Sequence, residues 1–125
     1  MFGDVELSNL IDMAGVYRMA NGWQVVIRAE WVDPTPQQPH GIDYALIFQD
    51  GSGDRLFGYD NSHAFDGANE DDCWDHEHRA GRTGQRFRYG FVSASKLISD
   101  FFDKLGTHCA AHGVSSEFIV DDDHA

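Results

Sequence analysis

The sequence has little positive charge. Its 125 residues include 9 lysines and arginines against 21 aspartates and glutamates, which gives a formal net charge of -12 at pH 7. Affinity for phosphate comes from lysine and arginine side chains that displace counterions, so a chain this acidic repels nucleic acid at long range. Any nucleic-acid role therefore needs a local basic surface.

Cysteine and long apolar runs are also scarce. The two cysteines, Cys73 and Cys109, lie far apart and form no CxxC pair, so the sequence predicts neither a zinc knuckle nor a disulfide framework. No run of about 18 apolar residues is present, so we expect no membrane-spanning helix and no membrane partner. The first residues, MFGDVELSNL, carry acids where a signal peptide has a positive start. These features together predict a cytoplasmic protein.

The composition is sufficient for a folded core. Hydrophobic residues make up 42% of the chain and aromatic residues 13%, which is typical of globular proteins and not of disordered ones. The length suits one compact domain over residues 1–125. Because no repeat or linker divides the sequence, we expect a single domain.

Alternating hydrophobicity predicts an antiparallel sheet. The β-rich runs 16–20 and 23–32 flank Asn21-Gly22, a dipeptide typical of hairpins with a type I′ turn, in which both residues have positive φ. In residues 42–48 every second side chain is strongly apolar, and the turn DGSGD then leads into RLFGYD. This order predicts a second hairpin.

A helix is predicted after the last strand. In RFRYGFV the aromatic residues alternate with arginines, which indicates a strand, and Ser93 or Ser95 can cap a helix that follows it. Apolar residues from Leu97 onward recur at helical spacing, and the helix ends at Gly106 or continues to Gly113. The sequence thus predicts an α+β fold, an antiparallel β-meander of about four to five strands with a C-terminal helix packed across one face.

Three segments have weaker patterns. Residues 4–12 fit either a helix or a strand. Residues 61–85 lack periodicity and are rich in Asp, Gly, Asn and His, so we expect a long polar loop of the kind that is usually functional. The segment EFIVDDDHA predicts a short edge strand within an acidic tail over residues 113–125.

Much of the positive charge is gathered in one stretch, DHEHRAGRTGQRFR, over residues 75–88. Side chains alternate in extended backbone, so His76 and His78 are expected to point the same way. If the flanking strands lie close together, Tyr59, Asp60 and His63 converge on this pair. Four arginines of the stretch are candidates for holding phosphate or RNA: Arg79, Arg82, Arg86 and Arg88.

Three interpretations of this stretch remain open. In the first, His76 and His78 bind a transition metal together with Asp66 or Asp75, but two ligands are not a site, so the histidines, with His63, are weak metal candidates and we expect no cofactor. In the second, a histidine exchanges protons with a phosphodiester while arginine holds phosphate, and RNA cleavage of this kind needs no metal because the 2′-hydroxyl is the nucleophile. In the third, the stretch is a solvated polar loop whose arginines pair with carboxylates.

The order of motifs resembles the TumE family, small proteins described as toxins of bacterial toxin–antitoxin modules. The resemblance rests on HGIDYALIFQDGSGDRLFGYDN, then DHEHRAG, then RFRYGFVSASKLISDFF, and covers about residues 20–105. The positions that match are His40, Tyr-Asp-Asn at 59–61, Asp75-His76 with His78, and the run 87–102. The chain departs from the family in the long acidic link SHAFDGANEDDCW, where the family has a short basic one.

The resemblance implies a toxin whose partner is a cognate antitoxin protein. It does not imply a chemistry, and the histidines and arginines themselves indicate action on RNA or translation. In that interpretation the chain is a metal-independent ribonuclease with four candidate catalytic residues: His76, His78, Tyr59 and Asp60. The alternative is a non-catalytic module that binds a protein or a metal, and a homo-oligomer is compatible with either interpretation.

Overall fold

The structure, a computed structural model, describes residues 2–63 and 73–119. Within these ranges the chain forms two helices and six strands, and none of the helices is long and apolar enough to cross a membrane. In chain order the elements are α1 (Phe2–Asp12), β1 (Gly15–Arg18), β2 (Gln24–Trp31), β3 (Ile42–Gln49), β4 (Arg55–Asp60), β5 (His76–Arg79), β6 (Arg82–Arg88) and α2 (Ala94–Ala111).

The strands of the described chain form one antiparallel sheet in the order β1 to β6, so each strand pairs with its neighbours in sequence. The predicted α+β meander is therefore confirmed, but the predicted number of four to five strands is too low. The additional strand is β5, which lies inside the segment predicted as a loop. Its sequence, HEHR, has no apolar alternation, and it is held by backbone pairing with β4 on one side and β6 on the other.

The first hairpin has the predicted position and a different turn. The backbone N–H of Met19 donates to the carbonyl oxygen of Trp23 at 2.8 Å, which closes a three-residue loop. Only Gly22 has positive φ, at 93°, whereas Asn21 does not. The predicted type I′ turn is thus wrong, because a three-residue loop needs the left-handed conformation only at its last position.

The C-terminal helix confirms the predicted cap and apolar stripe. The Ser93 side chain accepts a hydrogen bond from the backbone N–H of Lys96, and α2 continues through Gly106 to Ala111. One face of α2 is buried through Leu97, Phe101, Leu105 and Cys109. This stripe covers the sheet because apolar residues at helical spacing share one side of the cylinder.

The core lies between the helices and one face of the sheet. The segment 4–12, which the sequence left ambiguous, belongs to α1 and contributes Leu7 and Leu10 to this core. The predicted C-terminal edge strand is reduced, within the described residues, to one bridge between Phe118 and Met19, and residues 120–125 lie outside the described part. The sheet contributes alternate residues of its central strands: Val25, Ile27, Ile42, Tyr44, Leu46, Phe48, Phe57 and Tyr59.

Candidate functional site

The face of the sheet opposite α2, here called the far face, carries a row of polar residues. Facing residues in antiparallel strands project on the same side of a sheet. Successive strand pairings therefore place five residues in one row across the far face: Arg28, Ala45, Asp60, His76 and Arg88. The row brings one carboxylate and one imidazole together at its centre, with an arginine position at each end.

Asp60, His76 and His78 form a compact cluster on this face. Nε2 of His76 lies 3.0 Å from Oδ1 of Asp60, and Nε2 of His78 lies 3.4 Å from Oδ2. One potential ligand atom from each of the three side chains lies within 4.8 Å of the other two. All three residues are buried, and His76 is 0% exposed. The two histidines point the same way, as the alternation of β5 predicted.

Backbone carbonyl groups fix the orientation of both imidazoles. Nδ1 of His76 lies 2.7 Å from the carbonyl oxygen of Trp74, and Nδ1 of His78 lies 2.7 Å from that of Thr83. A carbonyl oxygen only accepts hydrogen bonds, so each Nδ1 carries a proton and donates it. Each ring therefore directs its other nitrogen, Nε2, towards Asp60.

The contact between His76 and Asp60 has the distance of a hydrogen bond but not its direction. Nε2 of His76 is fully buried and makes no hydrogen bond of acceptable geometry within the described part of the chain. A buried polar atom without such a bond usually marks strain, catalysis or a ligand. This atom faces the carboxylate of Asp60 without being aligned to it.

A cation and a glycine complete the surroundings of the cluster. Nη1 of Arg55 lies 3.9 Å from Oδ2 of Asp60. Gly58 faces His78 across the β4–β5 pair, and a Cβ atom at Gly58 would lie 2.8 Å from the carbonyl oxygen of Leu46 and 3.8 Å from Cδ of Arg55. The glycine is therefore required by the close approach of the Leu46 carbonyl group, and a Cβ at this position would also be in ordinary contact with Arg55.

The carboxylate of Asp60 is strongly stabilised in its ionised form. Burial alone would raise its pKa, but contacts with the imidazoles of His76 and His78 and with the backbone N–H of Ser62 outweigh this effect. The pKa of Asp60 consequently lies well below its usual range. The cluster therefore combines a buried, ionised carboxylate with two imidazole nitrogens.

A cleft of about 450 Å³ opens next to the cluster on the far face. The Ser62 hydroxyl donates to Oδ1 of Asp43 at 2.7 Å, and the Ser62 backbone N–H donates to Oδ1 of Asp60 at 3.2 Å, so Ser62 joins the cleft to the cluster. Its lining combines small side chains with both signs of charge: Ala14, Arg28, Ala29, Glu30, Asp43, Ala45, Ser62 and His63.

A second polar cluster lies on the helix side of the sheet. The Tyr44 hydroxyl donates to Oδ1 of Asp75 at 2.6 Å, and Nε2 of His40 lies 3.8 Å from Oδ2 of Asp75. His40 also packs on the ring of Phe91, with 4.0 Å between centroids. Burial raises the pKa of Asp75 although the Tyr44 hydroxyl and His40 oppose the rise. The contacts of this cluster link β3, the start of β5 and the approach to α2, which is a structural role.

The Tyr-Asp-Asn motif divides between structure and site. Tyr59 belongs to the helix side, where it packs against Tyr89 and Phe101 at centroid distances of 4.9 and 6.4 Å. Asn61 is fully buried and joins β4 to β3, since its side chain accepts from the Tyr44 N–H and donates to the Ile42 carbonyl. Only Asp60 of the three projects into the far-face cluster.

The candidate arginines are also divided between the two faces. Arg79 is on the helix side, where Nε donates to Glu77 at 2.7 Å and the guanidinium lies 4.0 Å above the Phe87 ring. Arg82 faces Arg79 beside the β5–β6 turn and is exposed. Arg88 faces His76 on the far face, and Arg86, two residues before it in β6, projects on the same side.

Of the other residues that the sequence offered as metal ligands, His63 and Asp75 do not join the Asp60–His76–His78 cluster in the described part of the chain. His63 lines the cleft and is exposed, outside the three-residue cluster, whereas Asp75 is on the helix side. Asp66 lies outside the described residues.

Two residues near the cluster, Arg55 and Gly58, were not among the candidates predicted from the sequence. A glycine inside a strand signals close approach of another group, so the Gly in RLFGYD was a usable sign.

Comparisons with known proteins agree with the motif order. A family model described as Toxin TumE matches residues 14–107, a range that contains all six strands and most of α2. Searches of curated proteins and of solved structures each found no match. The match spans the far-face cluster and the cleft beside it.

Proposed function

The chain belongs to the TumE toxin family, and from this premise we propose that it is the toxin of a two-component module and acts on RNA held on the far face of its sheet. The observation that carries the proposal is the cross-strand row in which Arg28 and Arg88 flank Asp60 and His76. A reactive polar centre between arginines suits a phosphodiester, because arginine holds phosphate while another group performs the chemistry.

Arginines on the far face support phosphate contact there, although Glu30, Asp43 and Asp60 project on the same face. Arg28, Arg55, Arg86 and Arg88 all belong to the far face or reach its cluster. Arg82 adds an exposed guanidinium at the end of the β5–β6 hairpin. Counterion release is governed by the charges that meet the phosphates, so these arginines can attract RNA at short range while the net charge of -12 opposes it at long range.

The Asp60–His76–His78 cluster is the proposed reactive centre. Proton exchange with a substrate requires a ring nitrogen that the substrate can reach, within about 2.6–3.2 Å or through one water. In both histidines Nδ1 is held by a carbonyl oxygen and Nε2 faces Asp60. His78, with a side chain 8% exposed, is better placed for direct contact than His76 at 0%, and a ligand held by the cluster would extend its reach into the cleft.

Family membership also supports a cognate antitoxin as partner and a cytoplasmic site of action. A toxin that acts on RNA must be restrained in the cell that makes it, so we propose that a protein encoded with it covers the far face. A partner that competes with RNA for Arg88 would neutralise the toxin without any change in its fold.

The test is RNA binding with two matched arginine variants. We expect a fluorescent single-stranded RNA oligonucleotide to bind the purified chain at low salt, and Arg88→Gln to weaken binding and reduce the salt dependence by about one counterion. Arg79→Gln, on the other face of the same hairpin, should remain within about twofold of the wild type. Equal losses in both variants, or no RNA binding by the wild type, would favour the non-catalytic binding module instead.

A further inference from the structure

We propose that Asp60, His76 and His78 form a binding site for one divalent transition-metal ion, such as zinc. The proposal goes beyond the proposed function, since it stands on the geometry of the cluster alone. The sequence predicted no cofactor because His-x-His supplies only two ligands. The fold adds the third ligand from β4, and two imidazole nitrogens with one carboxylate oxygen make a donor set typical of zinc and other first-row transition metals.

The orientation of both imidazole rings is the one that metal binding requires. Metal-bound histidines usually donate the other ring N–H to a carbonyl or carboxylate group, which fixes the ring and directs the lone pair to the ion. Both Nδ1 atoms make such contacts, at 2.7 Å to the carbonyl oxygens of Trp74 and Thr83. Nε2 is therefore the nitrogen that each ring can offer as a ligand to an ion held beside Asp60.

The separations between donor atoms also fit a shared ion. In a tetrahedral site with bonds of about 2.0–2.1 Å, neighbouring ligand atoms lie about 3.3 Å apart. Nε2 of His76 lies 3.0 Å from Oδ1 of Asp60 and Nε2 of His78 lies 3.4 Å from Oδ2, so each imidazole approaches a different oxygen of the same carboxylate. One ligand atom from each of the three residues lies within 4.8 Å of the other two. Ligands of one ion aim at a point between them and not at one another, which accounts for a His76 Nε2 atom that is close to Asp60 but not aligned with it.

Electrostatics favour a cation at this point. A metal ion binds imidazole in its neutral form, so the bound site would hold two nitrogen lone pairs and an ionised carboxylate together, a buried arrangement that the positive charge of the ion stabilises. Arg55 supplies some positive charge, with Nη1 3.9 Å from Oδ2 of Asp60 and a side chain that is 30% exposed. A metal ion would satisfy all three donors, and with three protein ligands it would retain a position for water or a substrate oxygen.

The experiment uses the full chain without an affinity tag, treated with chelator and then desalted. Titration calorimetry with zinc chloride should give one equivalent bound with a Kd of about 1 μM or tighter. Cobalt(II) should give the visible absorption of a four-coordinate site and be displaced by zinc. Binding that is not saturable, or has no defined stoichiometry, would overturn the proposal.

Matched variants locate the site. Asp60→Asn, His76→Gln and His78→Gln should each raise the Kd for zinc by about 100-fold or more, whereas His112→Gln, an exposed histidine of the described chain, should leave it within about twofold. Arg55→Gln should lower the Kd, because it removes a neighbouring positive charge. Folded cluster variants that retain the affinity of the wild type would overturn the assignment.

If the buried variants fail to fold, the wild type alone decides the question. Imidazole nitrogen NMR should show a zinc-induced change at Nε2 of both His76 and His78 with Nδ1 still protonated, and an unchanged spectrum would overturn the proposal. The outcome is separate from that of the proposed function. If the chain binds zinc but not RNA, the proposed metal site stands and the proposed RNA role is wrong. If it binds RNA but not zinc, the proposed RNA role stands and the proposed metal site is wrong.

Discussion

Asp60 and His76 face each other on β4 and β5, with Oδ1 of the carboxylate 3.0 Å from Nε2 of the imidazole. The contact depends on the fold, because β5 has little apolar character and is held by its partners on both sides. His78 joins from two residues further along β5, where it faces Gly58. The position of β5 in the sheet therefore determines whether the cluster exists.

Gly58→Ala should destabilise the fold through backbone overlap. The new Cβ would lie 2.8 Å from the carbonyl oxygen of Leu46, so the β3–β4 pair must shift. We expect a loss of about 1–3 kcal/mol in the free energy of unfolding, measured by denaturant melts. The matched control is Gly84→Ala in β6, where a Cβ would meet nothing within 4 Å and the change should be within about 0.5 kcal/mol. Equal losses at the two glycines would show that Gly58 is not constrained by Leu46.

Phe101→Ala should remove a central part of the core. The side chain is 0% exposed and packs against Phe57 with 5.4 Å between ring centroids. Emptying a site of this size costs about 3–5 kcal/mol, which denaturant melts would register directly. Phe118→Ala, at a ring that is 37% exposed, should cost less than about 1 kcal/mol. A loss below about 1 kcal/mol for Phe101→Ala would mean that α2 does not pack on the sheet as described.

Asp100→Asn should remove a pH-dependent contribution to stability. Burial would raise the pKa of Asp100, but hydrogen bonds from Lys96 and from the Tyr89 hydroxyl, the latter at 2.6 Å, outweigh it and lower the pKa from 3.8. A carboxyl group whose pKa is lower in the folded state stabilises the fold above its unfolded pKa and loses this effect as pH falls through the folded value.

The wild type should therefore exceed Asp100→Asn by about 1 kcal/mol at pH 7, a value reduced by the partial exposure of the contact. Unfolding measured from pH 7 down to pH 2 should show this difference shrinking below about pH 4. A difference that stays constant over the whole range would contradict the ionic origin of the stabilisation.

The parts of the fold that the sequence predicted are those whose pattern is local. The alternation of β3 and the stripe from Leu97 along α2 reflect burial on one side of a single element, and both were confirmed. The strand β5 was missed because its stability comes from hydrogen bonds to β4 and β6, which no property of HEHR reveals. The first turn was assigned the wrong type because Asn-Gly occurs in both two-residue and three-residue loops.

The site could be predicted only in part, because it depends on strand pairing as well as on local sequence patterns. The sequence named Asp60, His76 and His78 as candidates, and the fold brings these three together. It grouped Tyr59 with them, although adjacent residues of a strand project to opposite faces and Tyr59 belongs to the core. Arg55 reaches Asp60 after a register shift between β3 and β4, which depends on strand pairing and has no sequence signature.

The most direct test of the central claim, that the far-face cluster carries the toxic activity, is the growth of a bacterial host after induction of this chain without its partner. The wild type and Asp100→Asn should arrest growth, whereas Asp60→Asn should restore it, because loss of the central carboxylate is expected to reduce activity by about 100-fold or more. Circular dichroism and equal protein levels control for folding and expression. Growth that the wild type leaves unaffected, or arrest by a folded Asp60→Asn chain, would contradict the account.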